Sequence, residues 1–477
     1  MTGVSSIFMI HPVLKTHGLR RFSTGPGPDG AVAALYEKEA TETMKVLIVL
    51  PATVFANGLP YKTKRRWIMG LALPYMGALT APHAEVELID DRMDEINYDG
   101  PYDLVGLSVT IGTAERAYEI AAKFRKRGVA VVMGGFHPTL LPEECLQHCD
   151  AVVEGEAEYA WPELLEDFRA GRMKSRYKAD RFHDLKNLPT PRWDLLDRRK
   201  YFVPYLPLQT TRGCPFKCSF CEVPIFYGGT YRHRPIGEVI EDIKRIPTGK
   251  VQVVDDNITG SHEYARELFK AMIPLGVRWS CLWTINTSRD AELLDLAVRA
   301  GVYHVNIGIE SVSQKSLSSI NKRQNRVKDY VEMLRELERR GIFYSLNFLF
   351  GLDEDTREIF AETMDFLKQV RAPMAFFNTV TPREGTPMRS RLIAENRVLN
   401  RMADRYLGMD CLFVPKNMSP REVEDGVWDC FRKFYSIPSI FRRLSTAPAW
   451  SYVTQGLPSN LIFWWAVRHR KDPVDYY

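Results

Sequence analysis

From residue 206 to residue 380 the chain repeats one pattern: a short apolar run, a polar motif where the run ends, then a stretch of helical period. The runs are 208–211, 251–254, 279–285, 304–309, 344–350 and 375–380; they lead into the Cys214 loop, Asp255-Asp256-Asn257, Asn286, Glu310-Ser311, Gly351 and Thr381-Pro382. Val239, Ile240, Ile243 and Ile246, and later Val327, Val331, Leu334 and Leu337, carry the helical spacing that lays one apolar face against a sheet. Buried strands alternating with such helices make a parallel sheet whose chemistry gathers at the carboxyl ends of its strands. Six strands fall short of a closed eight-stranded barrel, so residues 206–389 are expected to form a partial (β/α)6, TIM-like barrel, open on one side.

A second alternation precedes it. Lys45 to Leu50 is apolar, Glu85 to Asp90 alternates, and 104–109 and 129–133 are apolar again. That pattern predicts an α/β, doubly wound, Rossmann-like domain over residues 44–172. Ligands of such sheets sit beyond the strand ends, and those ends carry Ser108-Val109-Thr110 and Gly134-Gly135-Phe136-His137-Pro138. Small residues there let a large ligand approach the backbone. Neither Gly-x-Gly-x-x-Gly nor a Walker element follows the first strand, which argues against a nucleotide.

In Cys214-Pro215-Phe216-Lys217-Cys218-Ser219-Phe220-Cys221 three thiols stand close enough to ligate three irons of a cubane and leave the fourth open. Such clusters normally take four thiolates, and Cys145, Cys149, Cys281, Cys411 and Cys430 are all distant in sequence. Two other readings stand beside this one. His233 could complete a zinc site, and two of the thiols could pair, although eight cysteines in 477 residues without a secretory signal read as a reduced, cytoplasmic chain. A net charge of +5 over this length is too small to argue for nucleic acid.

The cysteine spacing, with Phe220 before the last thiol, resembles the signature of the radical S-adenosylmethionine (SAM) superfamily. The resemblance implies a 4Fe-4S cluster on Cys214, Cys218 and Cys221 whose open iron binds SAM, which is cleaved to methionine and a 5′-deoxyadenosyl radical. It places Phe220 against the adenine, Asp255, Asp256 and Asn257 at the methionyl end, and Glu310 and Ser311 of Gly308-Ile309-Glu310-Ser311 facing the ribose. Arg232 or Arg234 could steady the methionyl carboxylate or merely bridge the loop to the barrel, and Asp256 and Asn257 could instead cap a helix.

The first domain resembles the cobalamin-binding domain that precedes the radical module in one large class of that superfamily, the methylase-type class B. The matching residues are Ser108 and Thr110, Gly134 and Gly135, and the tail Asp150-Ala151-Val152-Val153-Glu154-Gly155-Glu156. Where cobalt-ligating relatives carry Asp-x-His-x-x-Gly, this chain has Pro51-Ala52-Thr53-Val54-Phe55-Ala56-Asn57-Gly58. The resemblance therefore implies cobalamin with its base displaced and no histidine on cobalt, with His137 organising its loop or meeting the cofactor's tail.

The implied activity is methyl transfer to an unactivated carbon of a small molecule, lipid or tetrapyrrole-like substrate, with an external electron donor such as flavodoxin or ferredoxin. An oxidative cyclisation or ring rearrangement starts from the same hydrogen abstraction, and a non-catalytic cobalamin and cluster sensor is the reading from another class. Phe376, Phe377, Tyr303 and Trp283 could line a substrate pocket or form barrel core.

The remaining segments are less patterned. Residues 1–43 read as an extension, and 173–205 as an ordered linker whose Trp193, Leu195, Leu196, Tyr201 and Phe202 require burial. Residues 390–477 read as a helical domain. Its run Leu461-Ile462-Phe463-Trp464-Trp465-Ala466-Val467, flanked by Arg468, His469, Arg470 and Lys471, is too short to span a bilayer, for which roughly 20 apolar residues are needed. It suits either core packing or peripheral contact with a membrane.

Overall fold

The computed structural model describes residues 43–54, 58–399, 409–445 and 450–469. Apart from Thr43, the expected extension 1–43 lies outside them, as do Phe55, Ala56 and Asn57 of the loop after the first strand, and Arg470, Lys471, Tyr476 and Tyr477 of the tail. The described residues from Met44 onward belong to one compact unit.

In β1 (Lys45–Leu50) the side chains alternate between two cores: Val46 and Ile48 enter one, Leu47 and Val49 the other. That two-sided burial is what a parallel strand between helical layers requires. With β2 (Glu85–Asp90), β3 (Leu104–Ser108), β4 (Ala130–Gly134), β5 (Ala151–Glu154) and β6 (Arg176–Lys178) it forms a six-stranded parallel sheet in the order β2-β1-β3-β4-β5-β6. The order reverses between β1 and β3, which opens a crevice at the carboxyl ends there.

The sheet continues past residue 172, into the segment expected as linker. Tyr177 of β6 is buried and donates its hydroxyl to Asp167 (3.1 Å), while Arg176 pairs with Glu154 of β5 (2.7 Å). The rest of that segment is ordered as expected. Trp193 is buried and donates its indole N–H to the Pro207 carbonyl (3.0 Å), and Tyr201 is buried beside it. Phe202 departs from the expectation: it is 57% exposed, with its ring near Trp67 (6.1 Å) and under the Arg65 guanidinium. Two neighbours on one surface suffice to hold it there without a core.

The second sheet is the expected partial barrel. After β7 (Leu206–Leu208), the short antiparallel hairpin of β8 (Thr211–Gly213) and β9 (Tyr231–His233) brackets the cysteine loop. Then come β10 (Lys250–Val253), β11 (Arg278–Trp283), β12 (Val302–Glu310), β13 (Phe343–Phe350) and β14 (Met374–Thr379), all parallel, in the order β14-β13-β12-β11-β10-β7. The run 208–211, expected as one strand, is broken. Asp255 draws in the Thr210 N–H and both threonine hydroxyls at the point where β7 stops (2.6, 2.5 and 2.8 Å), and the chain turns there to begin β8.

The tail is helical as expected: Pro387–Ala394, Pro420–Phe434, Ile437–Leu444 and Trp450–Arg468. Ser419 and Glu422 cap the second of these reciprocally (3.3 and 2.8 Å). These helices cover β14: Tyr435 donates to the Ala375 carbonyl (2.8 Å), and Phe463 meets Phe376 edge to face (5.5 Å). Phe377 and Trp283 are likewise buried in the barrel core, and Tyr303 stacks on Tyr205 (4.8 Å).

Candidate active site

The cysteine loop is clamped from three sides. Ser219 N–H donates to the Ile320 carbonyl (2.9 Å), Asn321 Nδ2 to the Lys217 carbonyl (2.7 Å), and Met388 N–H to the Ser219 carbonyl (3.0 Å). Two side-chain amides also reach the sulfurs: Asn257 Nδ2 lies 3.9 Å from Cys214 Sγ and Gln324 Nε2 3.7 Å from Cys218 Sγ. Burial pushes the Cys214 thiol up and the Cys221 thiol up to about 12, so these groups ionise only when a cation supplies the compensating charge. Half-buried thiols with N–H donors aimed at sulfur fit a cubane, whose iron–thiolate ligands are tuned by such hydrogen bonds. Among the described residues no three Cys, His, Asp or Glu side chains gather around a single point as ligands of one ion. His233, the fourth ligand of the zinc reading, stacks instead on Tyr264 (4.5 Å).

The motif after β10 divides its labour. Asp255 is 1% exposed and its carboxylate is taken up by Thr210 and Thr211. Asp256 is more open, and burial together with the neighbouring Asp255 charge pushes it up to about 7. Asn257 faces Cys214. Neither Asp256 nor Asn257 caps the next helix, His262–Met272; Ser261 does, accepting from Tyr264 N–H (3.3 Å).

Glu310 sits at the end of β12 with φ +63°, in the left-handed region. Its carboxylate lies over Gly308, where an added Cβ would collide with Oε1, and it pairs with buried Lys322 (2.5 Å). Ser311 is buried and accepts from Ser313 N–H (3.1 Å). Phe220 packs partly buried against the barrel core.

The first sheet meets this site through a buried ion cluster. Arg212, two residues before Cys214, pairs with Glu156 (3.0 Å) and Glu158 (2.5 Å), and Arg232 of β9 pairs with Glu156 (2.7 Å). Tyr75 also donates to Glu158 Oε1 (2.5 Å), while Glu158 Oε2 is buried with no partner. Arg234 is held by Asp242 (2.7 Å). Both candidate arginines therefore act as bridges, one between domains and one within the barrel.

Those ions wall a cavity of about 250 Å³. Gly106, Ser108, Gly134 and Gly135 line its sheet side, Ile48, Val132, Val153 and Trp161 its apolar part, and Gln209, Arg212, Phe226 and Tyr227 its barrel side. A Cβ on Gly106 would stand 2.8 Å from Ile48 Cδ1, and Gly135 holds φ +106° with its hypothetical Cβ 2.8 Å from the Val109 carbonyl oxygen. A side chain at either position would collide with these neighbours, so this wall of the cavity is kept as bare backbone. The cavity fits a cofactor with a flat apolar portion and amide donors, for which Glu158 Oε2 is an unused acceptor.

Of the residues expected here, Thr110 and His137 do not line the cavity. Thr110 closes a capping box with Thr113. His137 is buried, its Nε2 hydrogen-bonded to the Tyr118 hydroxyl (2.8 Å), in a group with Glu144 and Cys145. Arg212, Glu158, Tyr75, Lys322 and Gln324 were not singled out by sequence; each finds its partner far along the chain or outside any local motif.

A family model described as the radical SAM superfamily matches residues 208–367, and one described as the B12 binding domain matches residues 78–165. The chain is 32% identical over 391 residues to bacteriochlorophyllide d C-12(1)-methyltransferase of Chlorobaculum tepidum, covering 80% of this chain and 85% of the relative. It is 34% identical over 336 residues to bacteriochlorophyllide d C-8(2)-methyltransferase of the same organism, covering 67% and 74%. Among solved structures, the radical SAM methyltransferase TsrM of Kitasatospora setae, with cobalamin and a 4Fe-4S cluster bound, aligns with a TM-score of 0.60 at 20% identity over 80% of this chain and 81% of its own. OxsB, a cobalamin-dependent SAM radical enzyme with aqua-cobalamin and SAM bound, aligns with a TM-score of 0.63 at 16% identity over 91% and 73%. At such identities the likeness is one of fold.

Proposed function

The chain belongs to the cobalamin-dependent radical S-adenosylmethionine methyltransferases, and on that premise we propose that it methylates an unactivated side-chain carbon of a chlorin-type tetrapyrrole. The substrate class rests on the two bacteriochlorophyllide methyltransferases that it resembles over most of its length. The observation that carries the reading is the shared wall: Arg212 lines the glycine-edged cavity of the first sheet and stands two residues from Cys214. When bound, the cluster with SAM supplies a carbon-centred radical and cobalamin supplies a transferable methyl group.

The chain's own residues do the placing. Cys214, Cys218 and Cys221 hold the cluster, with Asn257 and Gln324 donating to sulfur. Asp256 accepts the methionyl ammonium, because the Asp255 carboxylate is already occupied by the threonines. Glu310, fixed by Lys322, accepts the ribose hydroxyls, and Phe220 lies against the adenine. Ser108, Gly134 and Gly135 would hold cobalamin at the sheet side of the cavity, whose lining among the described residues includes no histidine. His137 supports the loop through Tyr118. A one-electron donor of the flavodoxin or ferredoxin type serves the enzyme in the cytoplasm.

The test is anaerobic turnover of the cluster- and cobalamin-loaded protein with SAM carrying a trideuterated methyl group and a chlorophyllide-type substrate. The expected product gains the labelled methyl, alongside 5′-deoxyadenosine. A product that loses hydrogen without gaining label would make the chain a cyclase, and the absence of 5′-deoxyadenosine across substrates would remove the radical reading. The division between the two aspartates gives a separate check. Asp256→Asn is expected to weaken SAM binding on the order of tenfold or more in equilibrium dialysis, the scale of a lost hydrogen bond to a charged group, with an unchanged melting curve. Asp255→Asn should lower the melting temperature instead.

A further inference from the structure

The C-terminal helices carry surface features that neither cofactor site uses. No charged residue occurs between Trp450 and Val467, although the helix Trp450–Arg468 lies on the surface. Its Leu457, Leu461 and Trp465, four residues apart and so on one stripe, are 36, 41 and 39% exposed. On the helix packed against it, Ile437–Leu444, Phe441 is 67% exposed. Surface helices of a water-bounded protein carry charge on the solvent side; a face of large apolar side chains without charge marks a contact with something apolar.

The helix that carries Phe441 also lines a groove of about 370 Å³, walled by Lys368, Arg371, Lys433, Arg442 and Arg443, with Asp365 its sole carboxylate. Lys368 is paired with Asp365 (2.8 Å) and Lys433 with Asp429 (2.5 Å). Among the described residues, Arg371 and Arg442 have no carboxylate within ion-pair distance. Arg443 is 5% exposed, and its five N–H groups are all taken by neutral oxygens: those of Ala372 (3.2 Å), Pro373 (2.7 Å), Phe434 (2.9 Å), and the Asn460 (2.8 Å) and Ser439 (3.4 Å) side chains, so it braces the groove wall and leaves the exposed Arg371 and Arg442 to meet an anion.

We propose that the helices Ile437–Leu444 and Trp450–Arg468 form a docking surface for a bilayer containing anionic phospholipid: Phe441, Leu457, Leu461 and Trp465 enter the acyl boundary, and Arg371 and Arg442 of the groove take a headgroup phosphate. Aromatic and aliphatic side chains flanked by arginine are the composition of an interfacial helix. Charge favours lipid over a second copy of this chain, since a symmetric pair would bring two basic grooves together. No described helix is long and apolar enough to cross a membrane, so the contact is peripheral.

The test is flotation of the full chain with phosphatidylcholine vesicles, with and without phosphatidylglycerol. The chain is expected to float with the anionic vesicles and to be released by high salt. Arg371→Gln and Arg442→Gln should each weaken partition roughly fivefold, and the double variant Leu461→Asp with Trp465→Asp should abolish it. All four positions are exposed, so melting curves should match the parent. The proposal is overturned if the chain stays with the soluble fraction, if partition ignores both sets of changes, or if inorganic phosphate binds the groove without vesicle partition. It is also overturned if the apolar stripe proves to hold a dimer in light scattering that Leu461→Asp dissolves.

Discussion

Alanine at Cys218 is expected to yield a folded protein with no 4Fe-4S absorbance, no cluster signal in electron paramagnetic resonance after reduction, and no detectable 5′-deoxyadenosine. The loss is total because the loop supplies three thiols for three irons and the described structure offers no replacement nearby; the other five cysteines include Cys281, buried in the barrel core, and Cys145 and Cys149 in the first domain. The fold should survive, since the loop is held by the backbone bonds of Ser219 to Ile320 and Met388 and not by its sulfurs. Cobalamin uptake, measured by absorbance, should be retained in the same variant. A normal cluster in Cys218→Ala would show that the ligand set is different from Cys214, Cys218 and Cys221.

Methionine at Arg212 should give the largest loss of stability. The guanidinium stands between Glu156 and Glu158, whose side chains are 5 and 4% exposed, and its removal leaves buried carboxylates short of a cation. Breaking a buried pair from one side costs about 3–5 kcal/mol, read as a shift in the urea midpoint of the cofactor-free protein at pH 7. The pH dependence follows from Glu158. Burial pushes its carboxyl up, but Arg212 and Tyr75 outweigh that and hold it below its ordinary value. In the parent, this stabilisation is present above the unfolded carboxylate range and is lost as pH falls through the depressed value. In Arg212→Met the opposing pull is gone, the carboxylate is raised by burial, and the deficit should shrink as pH is lowered toward 5. A deficit equal at pH 5 and pH 7 would mean that Arg212 contributes through packing and not through charge.

The six barrel strands and the first four strands of the first sheet were legible because their signals are local: apolar runs of strand length, helical spacing between them, and small or polar residues where each run stops; β6, three residues long, lay in the expected linker. The cysteine loop was legible for the same reason, since its spacing lies within eight consecutive residues. Contacts that join distant segments were not. Asp255 reads like a ligand-binding acid, yet its partners Thr210 and Thr211 lie 45 and 44 residues earlier and break a strand that sequence draws as continuous. Arg212 finds Glu156 across 56 residues and a domain boundary, and Lys322 reaches back to Glu310 across a helix. Pairing of this kind leaves no periodicity behind. His137 was expected in a turn but stands in the one-turn helix Phe136–Leu140, where the hydroxyl of Tyr118, two elements earlier, holds its ring. Phe202 shows the converse: an aromatic in a linker was expected to be buried, and a neighbouring tryptophan and arginine hold it at the surface.

The partial barrel has two different edges. Next to β7 the hairpin of β8 and β9 is bound to the first domain through the Arg212 and Arg232 ion pairs, and the cavity lies on that side. At β14 the cover is the C-terminal helices, which attach through aromatic packing and a few bonds such as Tyr435 to Ala375. The first edge joins the cysteine loop to the glycine-lined cavity; the second closes the opposite flank and reaches the cysteine loop through Met388. The two flanks of the barrel are thus held by different forces, buried charge on one and aromatic packing on the other.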